Sequence, residues 1–381
     1  MSSINISSKL PQVGTTIFTT MSQLAAQHQA INLSQGFPDY PIDEDLLRLV
    51  HHYHQQGFHQ YAPMVGVAAL RKQIQQMYQL VNGINYQEDD EITIHAGASE
   101  AIFNTLAALI APQDEVIIFE PAYDLYAPII TLFGGKVVPI RLEAPHFAIN
   151  WEEVAQLISA KTKAIIFNNP NNPTGKVYAK ADLEQLSACV ANTNCLVIAD
   201  EVYAHIVFEP AQFTSVCEIE NLKERSVIIA SFGKLLHATG WKIGYSLAPK
   251  NITAEIRKVH QFNTFSVNHA LQLAIADYLK IPENYIGLPD FFRIKRDFVH
   301  DQAVKHGLNP LRSDGTYFSL IQPNNLSNLD DFELAKSFIM NNKVAMIPVN
   351  AFYSDARNTG LLRICFAKQE ATLQAAMQQL G

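Results

Sequence analysis

Along its first 280 residues the chain repeats one pattern: a short apolar, β-branched run, a break, then a stretch with apolar positions at helical spacing. This is the grammar of an α/β fold. The runs Glu91-Ile-Thr-Ile-His95, Glu115-Val-Ile-Ile-Phe119, Thr162-Lys-Ala-Ile-Ile-Phe167, Cys195-Leu-Val-Ile-Ala199, Ser226-Val-Ile-Ile-Ala230 and Lys242-Ile-Gly-Tyr-Ser-Leu247 predict strands. They are apolar almost throughout, as burial on both faces of a mostly parallel sheet requires. Polar or special residues follow several of them at once: Gly97-Ala98-Ser99, Pro121-Ala122-Tyr123, Asn171-Asn172-Pro173, Asp200-Glu201-Val202-Tyr203 and Ser231-Phe232-Gly233-Lys234. In open α/β sheets the carboxyl ends of the strands line the ligand crevice, so these five clusters are expected to converge on one site.

Beyond about residue 280 helices alternate with short strands such as Thr316-Tyr-Phe-Ser-Leu320 and Leu362-Arg-Ile-Cys-Phe366, which predicts a smaller α+β domain. The expected division is a segment 1–40 packing with the small domain and the active site, a large domain 41–280 and a small domain 281–381, joined by a continuous helix or a short loop.

Composition narrows the function. The 381 residues, 48% hydrophobic and 17% charged, can bury a large core. A net charge of -8 and a pI near 5.9, with no run of Lys and Arg, argue against nucleic acid and anionic membranes as partners. No apolar run approaches the roughly 18 residues of a membrane span, and no basic patch followed by an apolar stretch opens the chain. Cys189, Cys195, Cys217 and Cys365 form no Cys-x-x-Cys pair and are too few for a disulfide framework, so they read as reduced thiols of a cytoplasmic protein.

The strand-end residues match the needs of pyridoxal phosphate, which are a lysine for the aldehyde, an acid for the pyridine nitrogen, a flat partner for the ring and donors for the phosphate. Asp200 follows a buried strand and suits the ring nitrogen; Tyr123 can lie on the ring face. Ser99 stands where a helix opens, and free N–H groups there favour a phosphate. Ser231 and Lys242 add a hydroxyl and a cation, which leaves Lys234 as the Schiff-base nucleophile. Each residue alone has an ordinary explanation: a helix cap for Asp200, a core aromatic for Tyr123, a solvated surface lysine for Lys234. The argument rests on their order and joint placement.

Three blocks, Asn169-Pro-Asn-Asn-Pro-Thr-Gly175, Asp200-Glu-Val-Tyr203 and Ser231-Phe-Gly-Lys-Leu-Leu-His-Ala-Thr-Gly-Trp-Lys-Ile-Gly-Tyr245, resemble the signatures of class I aminotransferases, the fold-type I pyridoxal-phosphate enzymes. Asn32-Leu-Ser-Gln-Gly-Phe-Pro-Asp39, Gln60-Tyr-Ala-Pro63, Gly315-Thr-Tyr-Phe318, Ile347-Pro348, Ala351-Phe-Tyr-Ser354 and Leu362-Arg-Ile-Cys-Phe366 fit in order, so the similarity spans nearly the whole chain. It resembles most the branch that contains bacterial methionine aminotransferase, kynurenine aminotransferase and glutamine transaminase K. The resemblance implies a large domain with a mostly parallel seven-stranded sheet plus a smaller α+β domain. It assigns Asn172 and Tyr203 to the ring hydroxyl, Asp200 to the ring nitrogen, and Tyr123 to stacking. Ala98, Ser99, Ser231 and Lys242 fall at phosphate-binding positions, and Tyr61 at one that reaches the phosphate from the other subunit of a homodimer. Arg363, with Gly36 and Asn172, matches the site of the substrate α-carboxylate; Phe18 and, from the partner subunit, Phe265 match positions lining the side-chain pocket. The implied reaction moves an amino group from a neutral, apolar or aromatic amino acid of the methionine, aromatic, kynurenine or glutamine type to a 2-oxo acid, by a ping-pong route. Leu235-Leu236-His237 depart from the family pattern after Lys234, and His237 reads as a packed or solvated side chain rather than a proton shuttle.

Other readings are weaker. His51-His-Tyr-His54 has no carboxylate or cysteine at ligand spacing and reads as an exposed helix face, so no metal is expected. No nucleophile elbow, phosphate loop or dinucleotide fingerprint is present. A carbon–sulfur lyase would use the same fold and cofactor. A cofactor-sensing regulatory domain would need a basic helix-turn-helix ahead of the catalytic blocks, and none precedes them here.

Overall fold

A computed structural model describes residues 4–324 and 329–380 of the chain. Seven strands form one sheet, in the spatial order Ile92–His95, Gly244–Leu247, Ser226–Ser231, Leu196–Asp200, Thr162–Asn168, Glu115–Glu120 and Lys136–Arg141. All run parallel except Gly244–Leu247, which is antiparallel to both neighbours. Successive side chains leave a strand on opposite faces, and here both faces are apolar. Val116, Ile118, Ala164 and Ile166 share one core with Ile102 and Leu106 of helix Ala98–Leu109 and Ile252 and Ile256 of helix Lys250–Asn263. Ile117, Phe119, Ile165 and Phe167 share the other with Leu183 and Leu186 of helix Lys180–Val190. Double burial is why these strands show no polar alternation in the sequence.

Six of the seven strands coincide with the apolar runs. The strand Lys136–Arg141 is the one the pattern does not predict, because Pro139 interrupts it and both its ends are exposed. It is an edge strand, paired only with Glu115–Glu120, where a missing N–H is tolerated. Two runs start two residues later than expected, at Gly244 instead of Lys242 and at Phe318 instead of Thr316. Lys242 and Thr316 stand at φ +53° and +67°, which breaks the extended backbone just before each strand.

A second sheet is antiparallel, in the order Ile347–Pro348, Leu362–Cys365, Phe318–Pro323, Leu308–Pro310. The N-terminal segment joins this part of the molecule: Ile31–Asn32 pairs in parallel with Val344–Ala345, and the Leu33 carbonyl accepts from the Cys365 N–H. These bonds hold the following residues, Ser34 to Phe37, beside Arg363. Among the described residues, no helix is long and apolar enough to cross a membrane.

Gly244 lies where the antiparallel strand passes the start of helix Ala98–Leu109. A Cβ there would meet the Ala230 carbonyl oxygen at 2.7 Å and the Ala98 nitrogen and Gly97 carbonyl carbon at 2.8 Å, all backbone atoms. Gly244→Ala should therefore destabilise the fold by about 1–3 kcal/mol. Urea denaturation checks this, with Gly14→Ala as the control, since a Cβ at Gly14 has nothing within 4 Å.

Candidate active site

The carboxyl ends of the parallel strands open onto a cavity of about 380 Å³, closed from the other side by Gln35, Gly36, Phe37, Phe318 and Arg363. The antiparallel strand begins at this same edge, which is how Lys242 reaches the cavity. The cavity walls contain twelve of the residues singled out in the sequence: Phe18, Gly36, Ala98, Ser99, Tyr123, Asn172, Asp200, Tyr203, Ser231, Lys234, Lys242 and Arg363. Tyr61 and Phe265 are not among them. They lie together on the surface, with ring centroids 5.5 Å apart, and Tyr61 is 82% exposed.

One end of the cavity is a cradle of donors. Helix Ala98–Leu109 begins after Gly97, which at φ +84° turns the first N–H groups outward. The Lys242 ammonium and its last carbon lie 3.1 Å from where a Gly97 Cβ would stand, so the glycine leaves room for the cation over the helix start. Ser231 adds its hydroxyl while capping the short helix Phe232–Leu235 through the Gly233 N–H. This set suits a phosphate-sized anion.

Asp200, at the end of its strand, is 4% exposed. It accepts from the Tyr126 hydroxyl at 2.5 Å and from the Val202 N–H at 3.3 Å. Burial pushes its pKa up against these two bonds, so the carboxylate has capacity for a stronger, cationic donor. Lys234 donates to the Tyr317 hydroxyl at 2.7 Å and to the Gly36 carbonyl at 3.2 Å. Burial lowers its pKa to about 8, and the charges of Arg363 and Lys242 push the same way. Burial also pushes the Tyr123 hydroxyl up to about 12 and holds Tyr203 well above its ordinary value.

At the far end Arg363 is a guanidinium that is only 1% exposed. It donates to Asn172 Oδ1 at 2.7 Å and to the Ser34 carbonyl at 2.9 Å, while its Nε has no partner among the described residues. Its charged carbon lies 3.9 Å from the Phe318 ring centre and 5.2 Å from those of Phe18 and Phe352. Among the described residues neither Arg363 nor Lys242 is in any ion pair. Three basic side chains, Lys234, Lys242 and Arg363, and one carboxylate line this cavity, and among the described residues none of the three is in an ion pair.

Sequence reasoning misses four contributors: Tyr126 on Asp200, Tyr317 on Lys234, and the Phe318 and Phe352 rings around Arg363. Tyr126 could have been found three residues past Tyr123, where helix Tyr126–Leu132 begins. The other three lie inside motifs quoted above but without a role. His237 is packed, as expected, between Tyr40, Phe291 and Phe292, and burial lowers its pKa to about 4. His51, His52 and His54 lie exposed on helix Glu44–Gln55.

A cavity with a lysine of lowered pKa, a cradle of donors and a buried guanidinium at the carboxyl edge of such a sheet defines a class, and sequence comparison names it. The pattern of the family described as aminotransferase class I and II matches residues 28–380, and the chain belongs to this family. It is 48% identical over 374 residues to methionine aminotransferase of Escherichia coli, covering 98% of this chain and 97% of the relative. It is 31% identical over 410 residues to kynurenine–oxoglutarate transaminase of Dictyostelium discoideum, covering 96% and 94%. A crystal structure of an Escherichia coli protein with a methionine aminotransferase function superposes with a TM-score of 0.97, at 47% identity and 99% coverage of both chains. The protein is an aminotransferase of the α/β, fold-type I architecture.

A lysine whose pKa is lowered to about 8 has its neutral, nucleophilic amine at far lower pH than a surface lysine. In the protein stripped of small molecules, acylation of Lys234 by an amine-directed reagent should rise steeply between about pH 7 and 9 and then level. Peptide mass mapping checks this; a Lys234 profile still rising at pH 10 would contradict it.

Proposed function

We propose that this aminotransferase uses pyridoxal phosphate held in the cavity and prefers neutral, apolar or aromatic amino acids as donors. The carrying observation is the charge layout of a single cavity, with an unpaired ammonium over a helix start at one end, an unpaired buried guanidinium at the other, and Asp200 and Lys234 on the walls. The residues fit the cofactor. A doubly charged phosphate would balance Lys242 beside the N–H groups of Ala98 and Ser99 and the hydroxyls of Ser99 and Ser231. A protonated ring nitrogen is the cationic donor that the raised pKa of Asp200 lacks. Asn172 and Tyr203 are assigned to the ring hydroxyl and Tyr123 to the ring face.

Pyridoxal phosphate supplies an aldehyde that bonds amines and a ring that takes up the electron pair released at a substrate's α-carbon. Lys234 would hold it covalently and, as a free amine, would be the base placed to take the substrate's α-proton. A neutral amine is what that role needs, and burial moves Lys234 toward it by lowering its pKa to about 8. Arg363 binds the α-carboxylate. Asn172 Oδ1 and the Ser34 carbonyl fix its two terminal nitrogens, so the planar fork is oriented before substrate arrives. Gly36 allows this close packing, since a Cβ there would meet the Phe318 ring at 2.7 Å. The same residues serve the second half-reaction, in which a 2-oxo acid takes the amino group.

Tyr61 and Phe265 belong to this reading as residues lent to the site of a partner subunit. Their exposure side by side, with Phe262, three residues before Phe265, also 85% exposed, supports a homodimer with shared sites. The domain division at about residues 40 and 280 is part of the same proposal. So is a cytoplasmic setting, for which the four free thiols, three of them buried, are the support.

The donor preference rests on the walls. Lys234, Lys242 and Arg363 are the only cations lining the cavity among the described residues, so no further cation waits for a distal carboxylate. Phe18, Phe37 and Phe318 supply apolar surface instead, and the methionine and kynurenine transaminases among the relatives agree with that preference.

Borohydride treatment of the cofactor-loaded protein should fix the cofactor to the peptide containing Lys234, and Lys234→Ala should bind cofactor without this fixation. Fixation elsewhere, or persistence in the variant, would move the anchor to another residue.

A panel of amino acids against several 2-oxo acids tests the preference, with thiol and ammonia release assayed alongside to detect lyase chemistry. Methionine and aromatic donors should lead aspartate and glutamate. Phe18→Ala should lower kcat/KM for methionine and phenylalanine about fivefold, from the loss of on the order of 1 kcal/mol of ring contact, and change alanine little. Aspartate or glutamate ranking first would reject the preference while leaving the cofactor assignment intact.

A further inference from the structure

The first turn of helix Ala98–Leu109 carries, besides the cradle, a buried polar cluster with no part in the mechanism above. Glu100 accepts from the Ala96 N–H with one carboxylate oxygen, and with the other from Asn104 Nδ2 at 2.6 Å. His260, fully buried in helix Lys250–Asn263, places Nδ1 2.8 Å from that second oxygen and Nε2 3.0 Å from the Met64 carbonyl. Each ring nitrogen of His260 thus faces an acceptor, and the ring joins Glu100 to the Met64 carbonyl. Burial by itself would raise the Glu100 pKa, but the bond from His260 holds it well below the ordinary carboxylate range.

The remaining bonds are satisfied in one consistent arrangement. Asn104 Nδ2 gives its second hydrogen to His95 Nδ1 at 3.3 Å, and His95 Nε2 then donates to Ser246 Oγ at 2.9 Å. Asn263 Nδ2 donates to Asn104 Oδ1 at 2.9 Å. Three potential metal ligands, His95, Glu100 and His260, meet here. The amide nitrogen of Asn104 lies 3.3, 2.6 and 3.3 Å from their facing atoms, and so fills the space a shared ion would need. The cluster is a hydrogen-bond hub rather than a metal centre.

What the hub joins gives it a role. On one side is Ala96–Glu100, the backbone of the anion cradle. On the other are the two short segments that present Tyr61 and Phe265: Met64 follows Tyr61 by three residues, and Asn263 ends the helix two residues before Phe265. Those segments are also tied to each other by the Ser266 hydroxyl on the Ala62 carbonyl, and the Phe265 N–H returns to the His260 carbonyl. We propose that Glu100, His260, Asn104 and Asn263 are positioning residues that lock the phosphate cradle of one subunit to the Tyr61–Phe265 segments it lends to the other. Cofactor retention at the two sites of the dimer is thereby linked. The proposal rests on the shared-site reading above.

The test compares cofactor affinity in the His260→Gln, Asn263→Ala and Tyr61→Phe proteins, alone and combined, by titrating pyridoxal phosphate into the stripped dimers, with thermal midpoints measured in parallel. Asn263 is exposed, so its alanine variant loses one hydrogen bond and keeps the fold even if His260→Gln does not. Loss of one partner in a buried network should raise Kd about tenfold. Adding Tyr61→Phe should then weaken binding by less than twofold, although alone it weakens it severalfold, because both changes act through the same segment. Network variants with lower thermal midpoints but unchanged Kd would reduce the cluster to a structural one and overturn the proposal, as would fully additive losses. Unchanged affinity in Tyr61→Phe alone would instead overturn the shared-site reading beneath it.

Discussion

Burying a guanidinium without a counterion is costly, of the order of several kcal/mol before hydrogen bonds offset it. Arg363 does so with one amide oxygen, one carbonyl and three aromatic rings as its surroundings. Much of the structure is arranged around this constraint. The N-terminal segment must pair with Val344–Ala345 so that the Ser34 carbonyl arrives at Nη2. Asn172 must leave its loop at the angle set by its own N–H on Asn168 Oδ1. Gly36 must lack a side chain so that Phe318 can lie over the charge. An apolar residue in place of Arg363 would suit the fold better; in the function proposed above, the charge is there to bind the substrate's carboxylate.

The same logic runs through the rest of the cavity. Lys242 sits over a helix start, a place where another positive charge is unfavourable unless an anion joins it. Lys234, between the two other cations, loses its proton more readily than a solvated lysine, which converts a surface-type ammonium into a usable amine. Asp200 holds a carboxylate where burial disfavours it. These are pKa shifts of opposite chemical sense within one cavity, and each is relieved by the charge that cofactor or substrate would bring.

The hub of His260, Glu100 and Asn104 shows a different solution. There an imidazole and a carboxylate are buried together with their hydrogen bonds satisfied by each other and by their neighbours. Buried pairs of this kind specify geometry rather than add stability. Its placement, between the cradle and the segments bearing Tyr61 and Phe265, makes geometry the relevant output.

Much of this was legible in the chain itself. Buried parallel strands are apolar on both faces, so six of seven could be read from local pattern. Asp200, Ser231 and Lys234 stand at or just past strand ends, where such a sheet places its ligands. The edge strand Lys136–Arg141 was hidden, because pairing on one side tolerates a proline and exposed ends that local pattern reads as a break. Tyr317 and Phe352 were also out of reach, since a hydroxyl on Lys234 and a ring beside Arg363 depend on how distant segments meet. His260 and Glu100 lie 160 positions apart, and nothing near either in the sequence marks the other. Local sequence determines which residues can form a strand or stand at its end; only tertiary structure decides which charges are taken out of water together, and that decides their protonation and their chemistry.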